Sequence, residues 1–286
     1  MKNRKVPKEI GCTIASAVKL KKAEEKFPDA VFLKKHSLRI CADACAFVRF
    51  VKELIQKIQT APNLCYNKDH RSTVFCMISD GGSCTMDYTR IRRNLESRGY
   101  IVSLFPTAEE AVAYMDCAVN GKTIGFGGSV TTEEMGLYDV LSEHNTVFHH
   151  WHVKPGESVA TTQMQAQRAD IYISSVNGIA ETGEIVNIDG TGNRVGSIMY
   201  GHQRVYLLIG KNKIAPTYEE ALHRARNVAA PKNAQRLGKK TPCAPKADRC
   251  YDCASPDRIC RVLSVLWENP VGTQIEILLI DEELGY

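Results

Sequence analysis

Beyond residue 100, short apolar runs alternate with stretches in which apolar residues return every three or four positions. The first pattern marks buried strands and the second amphipathic helices, and their alternation predicts a parallel sheet with crossover helices. From Met86, MDYTRIRRNLESRGYIVSLF predicts a helix, a stop at Gly99 and a strand from Tyr100 to Phe105. Helix 107–119 follows with Thr107 and Glu110 as a capping box, then strand Thr123–Phe126. Gly127-Gly128-Ser129 opens helix 131–142, with Thr131 and Glu134 as a second box. Strand 146–149, helix 158–168 and strand 170–174 come next, then a polar turn, Ser174 to Gly178. A strand from Glu184 to Ile188 leads through Asp189-Gly190-Thr191-Gly192-Asn193-Arg194 into a further helix. Strand 204–209, helix 217–228, a connection bracketed by Pro231 and Pro242, and strands Val262–Trp267 and Gln274–Ile280 finish the chain. The expected class is α/β: a mostly parallel sheet with helices on both faces.

The first 85 residues read differently. Residues 9–26 and 37–59 predict helices, the second with Ser37 as N-cap and Ile40, Ala44, Phe47, Val51, Leu54 and Ile58 on one face. Residues 61–85 read as a linker carrying one strand. We place the boundary near 85: a basic, mainly helical N-terminal extension over 1–85, and the α/β domain over 86–286.

The net charge of +5 is uneven. Sixteen basic and eight acidic residues fall in 1–85, against twenty-one and twenty-four in the remainder. The basic residues of the extension stand singly among apolar ones, without the aromatic or glycine interleaving of a nucleic-acid surface, so they read as solvated helix faces. No apolar run approaches the ~20 residues of a membrane span, and the N-terminus lacks a credible cleavage site. The expectation is a cytoplasmic protein with neither a membrane nor nucleic acid as partner.

Of eleven cysteines, seven are scattered through the first 117 residues and four are clustered. An odd count in a cytoplasmic chain argues against a disulfide framework. Cys243, Cys250, Cys253 and Cys260 follow a spacing of six, two and six residues within loop-like sequence. Four thiolates so placed can close around one metal centre, zinc or iron–sulfur, since both accept four sulfurs.

Other candidate chemistry sits where strands end, the place at which open α/β sheets hold ligands. Gly127, Gly128 and Ser129 offer free N–H groups at a helix start, suited to a phosphate or carboxylate. Asn177, Asp189 and Arg194 gather in the turns after two strands, with Arg194 suited to a carboxylate through paired hydrogen bonds. Glu181, flanked by glycines in Glu-Thr-Gly, is the candidate reactive carboxylate. In His149-His150-Trp151-His152, His150 and His152 share one side if the segment is extended. Each also has a plainer reading as turn chemistry or surface hydrogen bonding.

Residues 86–286 resemble the lactate-utilisation (LUD) domain family. The segments that carry the resemblance are GFGGSVTTEEMGL, DIYISSVNGIAETGEIVNIDGTGNRVGSIMYG, IGKNKI, NVAAPKNAQRLGKKTPC, CASPDRIC and the ending EELGY. The resemblance implies the fold shared by ribose-phosphate isomerase, glucosamine-phosphate deaminase and the CoA-transferases. It also implies a part in oxidising lactate or a related hydroxy acid, in some members beside iron–sulfur subunits. In CoA-transferases a turn glutamate becomes acylated, and Glu181 holds a comparable position. With the thiol-rich composition, the resemblance favours a four-iron, four-sulfide cluster at the cysteine loop, with zinc as the alternative. The expected partners are a small anionic organic substrate, a redox subunit of a hydroxy-acid dehydrogenase complex and a second copy of the chain. The paired ferredoxin-type cysteine runs of electron-transferring members are absent.

Overall fold

The computed structural model describes residues 87–286; the N-terminal extension and its expected helices lie outside the described residues. The first elements are α1 (Thr89–Ser97), β1 (Ile101–Phe105), α2 (Ala108–Ala118) and β2 (Thr123–Phe126). Then come α3 (Val130–Glu134), α4 (Leu137–Ser142), β3 (Thr146–His149), α5 (Val159–Ala166), β4 (Ile171–Ser174), β5 (Gly178–Ala180) and β6 (Ile185–Asp189). The rest are α6 (Asn193–Met199), β7 (Arg204–Gly210), β8 (Ile214–Ala215), α7 (Tyr218–Arg224), α8 (Ala230–Arg236), β9 (Val262–Leu266) and β10 (Gln274–Ile280).

Six strands form one sheet in the order β1-β10-β7-β4-β2-β3, and every neighbouring pair is parallel. All six therefore end at the same edge. Alternate residues of each strand point to opposite faces, and the core divides accordingly. On one face Val205, Leu207 and Ile209 of β7, with Ile275, Ile277 and Leu279 of β10, pack against Ile91 and Leu95 of α1 and Ile198 of α6. On the other, Tyr206, Leu208, Leu278 and Ile280 meet Ala111 and Met115 of α2 and Leu137 and Leu141 of α4. The expected α/β class, with helices on both faces, is what the chain adopts.

A second sheet contains two strands that the sequence pattern anticipated, β6 and β9, and two that it did not, β5 and β8. It has the order β8-β5-β6-β9 and mixes one parallel with two antiparallel pairings. β5 and β8, three and two residues long, are too short to show a period. The turn expected from Ser174 to Gly178 in fact runs into β5, whose three residues are all buried.

Two helices differ from expectation. Helix 131–142 is broken: Ser129, not Thr131, accepts the N-cap hydrogen bond, from Thr132 N–H. Gly136 then adopts φ +62° between α3 and α4, a left-handed backbone that glycine takes at little cost. Pro231 does not end the helical run either. A π-helical turn, Ala225–Ala229, joins α7 to α8, and Pro231 lies in the first turn of α8, directly after that π-helical turn.

Gly125 of β2 is where α5 comes closest: a Cβ there would stand 2.2 Å from the Ala166 carbonyl oxygen. Gly125→Ala must push α5 off the sheet, and we expect a loss of about 2–3 kcal/mol, read as a lower urea midpoint.

Candidate functional site

The loops leaving the carboxyl ends of β2, β4 and β7, with the C-terminal tail, surround a cavity of about 520 Å³. Gly128, Ser129, His150, Trp151, Ser175, Asn177, Asp189, Arg194 and Lys213 line it from the sheet side. Asn233, Arg236, Lys239, Arg258, Ile259, Arg261 and Tyr286 close it from the helical and cysteine-loop side. Six of its lining side chains are basic, and two, Asp189 and Asp257, are acidic. The balance favours an anion.

Six of the sequence candidates meet here: Gly128, Ser129, His150, Asn177, Asp189 and Arg194. Gly127 stands just behind the wall, where a Cβ would come within 2.6 Å of Ser174 Oγ and 3.0 Å of Arg194 Cγ. Only glycine allows that approach. Glu181 lies elsewhere. It follows β5, pairs with Arg90 at 3.0 Å and is not among the residues lining the cavity. Its carbonyl accepts from Asn94 Nδ2 at 2.7 Å, so the turn is tied to α1.

Arg194 reaches the wall but is not free to grip a ligand. Its Nη1 donates to Ser175 O at 3.0 Å and Asn187 Oδ1 at 2.6 Å. Its Nη2 donates to Asn177 Oδ1 at 2.9 Å and Ile188 O at 2.8 Å. Asp189 faces its Nε at 3.7 Å. Burial pushes the Arg194 pKa down, and the Asp189 charge works against that shift. Asp189 is itself occupied, accepting from the N–H groups of Thr191 and Gly192 at 3.0 Å and of Val195 at 3.3 Å. These two residues build the wall.

Lys213, which sequence reading passed over, is the buried cation with capacity left. It is 3% exposed, lines the cavity and donates to Thr131 Oγ1 at 2.6 Å and Ser175 Oγ at 2.9 Å. An ammonium has three donors, so two hydroxyls leave one unassigned. Burial, then the Arg224 and Arg194 charges, lower its pKa from 10.5 to about 7, with Glu134 opposing. A lysine three positions past the end of a strand, within Gly-Lys-Asn-Lys, was the only signal in the sequence. The ring of His150 also faces the cavity, and burial lowers its pKa. Arg236 lies over the Trp151 ring at 4.6 Å and donates to Tyr286 Oη at 2.8 Å, which holds the chain end against the cavity.

Cys243, Cys250, Cys253 and Cys260 line one smaller cavity, of about 20 Å³, together with Arg226, Ala230, Thr241, Arg258 and Ile259. The surroundings suit thiolates. Asp252 N–H donates to Cys250 Sγ at 3.3 Å and Arg258 Nη2 to Cys260 Sγ at 3.4 Å, while Thr241 Oγ1 stands 3.3 Å from Cys243 Sγ. Proximity to Cys250 raises the pKa of Arg226, and proximity to Cys260 that of Arg258. Arg258 Nε is buried without a partner. Among the described residues, Ala247 and Asp252, both in this loop, are the non-glycine residues with positive φ, 50° and 49°. Such strain persists only where surrounding structure enforces it. The donor set, four thiols around one small cavity, fits a metal group.

The two cavities share a wall: Ala230, Arg258 and Ile259 line both.

Replacing Arg194 by Met would strand Asp189 and four acceptors, at a cost of about 3–5 kcal/mol in urea unfolding. Arg194→Lys would not restore it, because a single ammonium cannot reach four divergent acceptors. Lys213 gives a pH signature. Unfolded, its amine stays protonated to about 10.5, whereas in the folded protein it releases its proton near 7. Between those values the unfolded state binds more protons, so this residue makes stability rise with pH, a gain absent below about 7. Urea midpoints measured across that range should rise more steeply in the wild type than in Lys213→Met.

Residues 88–280 match the model of the LUD domain family. Among solved structures, the chain is similar to a DUF162 family protein from Deinococcus radiodurans, with 14% sequence identity. That match has a TM-score of 0.38 and covers 68% of this chain and 99% of the other. No curated protein matches the chain.

Proposed function

Because the chain belongs to the LUD domain family, we propose that it acts in the metabolism of lactate or a related small organic acid. The acid would bind in the 520 Å³ cavity, and the four cysteines would hold an iron–sulfur cluster beside it. The observation that supports this most directly is the common wall of Ala230, Arg258 and Ile259 between the thiol cavity and the cationic cavity.

The residues divide the work by what each has left to give. Arg194, Asn177 and Asp189 are committed to one another and shape the floor. Arg236, Lys239 and Arg261, around the rim of the same cavity, draw a carboxylate in. Lys213 Nζ, held by Thr131 and Ser175, has a pKa near 7 and can take a proton from a substrate hydroxyl or return one to it. Glu181, bound to Arg90 outside the cavity, is given no step. A cluster at the four thiolates supplies one-electron transfer when bound. Arg258 and the Asp252 N–H, by donating to sulfur, would stabilise its more negative state.

The cysteines are only half-buried. A centre that near the surface favours a second reading, in which the chain serves as the redox subunit of a larger hydroxy-acid dehydrogenase complex. Partner-dependent reduction of the centre, without turnover by the isolated chain, separates the two.

Anaerobic purification tests the centre. We expect broad visible absorption and about four irons with matching sulfide per chain, both lost in Cys253→Ser. A single zinc without sulfide would overturn the cluster. Calorimetry with lactate and pyruvate tests the cavity: Lys213→Met and Arg236→Met should each weaken binding about tenfold or more. Unchanged affinity in both folded variants would remove the cavity from the proposal.

A further inference from the structure

Three imidazoles stand together at the end of β3, and an extended backbone would pair His150 with His152. The chain turns instead: His152 N–H donates to His149 O at 2.9 Å. Residues three apart therefore come to the same side. His150 faces the large cavity, while the rings of His149 and His152 lie 4.9 Å apart. Opposite them, Glu133 of α3 offers Oε1, which stands 2.8 Å from His152 Nε2.

Glu133, His149 and His152 are the only group of three among the described residues whose potential ligand atoms all lie within 4.8 Å of one another. A second, independent feature concerns His149. Its side chain is 1% exposed, and neither ring nitrogen has a hydrogen-bond partner. Buried polar groups are almost always paired, and an orphaned imidazole in a core invites a specific reason. The rings around it are fixed. Phe126 meets His149 edge-on at 5.2 Å, and Tyr138 stacks on His152 at 4.0 Å. The nitrogens are thus held in place before any ligand arrives.

We propose that Glu133, His149 and His152 bind a divalent transition-metal cation, at a site distinct from the cysteine centre. Two imidazoles and a carboxylate suit zinc, iron(II), cobalt(II) or nickel(II) better than calcium or magnesium, which prefer oxygen. Three protein ligands leave at least one position open on the metal. Glu133 and His152 are part-exposed, with side chains 41% and 32% accessible, so the open position faces outward and His149 anchors the ion from within. This site does not depend on the reading of the large cavity.

The test is cobalt(II) titration of the full chain with its cysteine centre already loaded, followed by visible absorption. We expect one further equivalent with the weak bands of nitrogen and oxygen ligation, lacking sulfur-to-cobalt charge transfer. Trp151, whose ring lies 5.6 Å from His149, should be quenched in step, read in a Trp267→Phe background. Glu133→Gln, His152→Asn and His149→Asn should each lower affinity at least tenfold, and His150→Ala should retain it. If His149→Asn fails to fold, the two part-exposed positions decide. Retained binding in Glu133→Gln and His152→Asn, loss in His150→Ala alone, sulfur-type bands, or no further equivalent would each overturn the proposal.

Discussion

A guanidinium taken out of water must have its hydrogen bonds met, and around Arg194 that requirement fixes much of the domain edge. Its four Nη–H bonds end on the turn after β4, through Ser175 and Asn177, and on β6, through Asn187 and Ile188. Asn177 Oδ1 also accepts from Ile188 N–H at 2.8 Å, which closes the network on itself. The large sheet, the small sheet and α6 thereby become one rigid wall. A floor so fully bonded cannot reorganise when a ligand binds. Recognition is left to the cations facing it.

The domain edge thus holds two kinds of positive charge. Arg194 is neutralised locally and acts as a fastening. Lys213 rests only on hydroxyls and has its charge state set by burial and neighbouring arginines. Arg258 stands between the two cavities, donating to Cys260 with one nitrogen and leaving Nε without a partner. Arg258 is thus the side chain that touches both the thiols and the large cavity.

Much of this was legible in sequence because the determinants are local. Thr107 caps α2 and Ser158 caps α5 where the pattern puts helix starts, and β2, β3 and β10 keep the expected bounds. The turns holding Ser129, Asn177, Asp189 and Arg194 follow strands whose apolar runs are plain. What could not be read is set by tertiary partners. β5 and β8 span three and two residues, and only their pairing defines them. Glu181 looks like an exposed turn carboxylate, yet Arg90 and Asn94 of α1, nearly ninety positions away, receive that turn. Lys213 looks like one surface lysine among many; the 3₁₀ turn after β7 is what sends it inward.

With both proposed centres filled, the imidazole site and the thiol loop would let one chain keep two metal chemistries apart. The thiols sit on irregular backbone with two non-glycine left-handed residues, a conformation that a bound group would help to hold in place. Glu133 and His149 sit on a helix and a strand that the core already fixes, so that site exists before its ion. Softness divides the occupants further: thiolates favour zinc and iron–sulfur centres, whereas imidazole with carboxylate accepts harder divalent ions. Loading one site need not disturb the other. The backbone turn after His149 decides this outcome, since a straight continuation of β3 would have carried His152 away from His149 and Glu133.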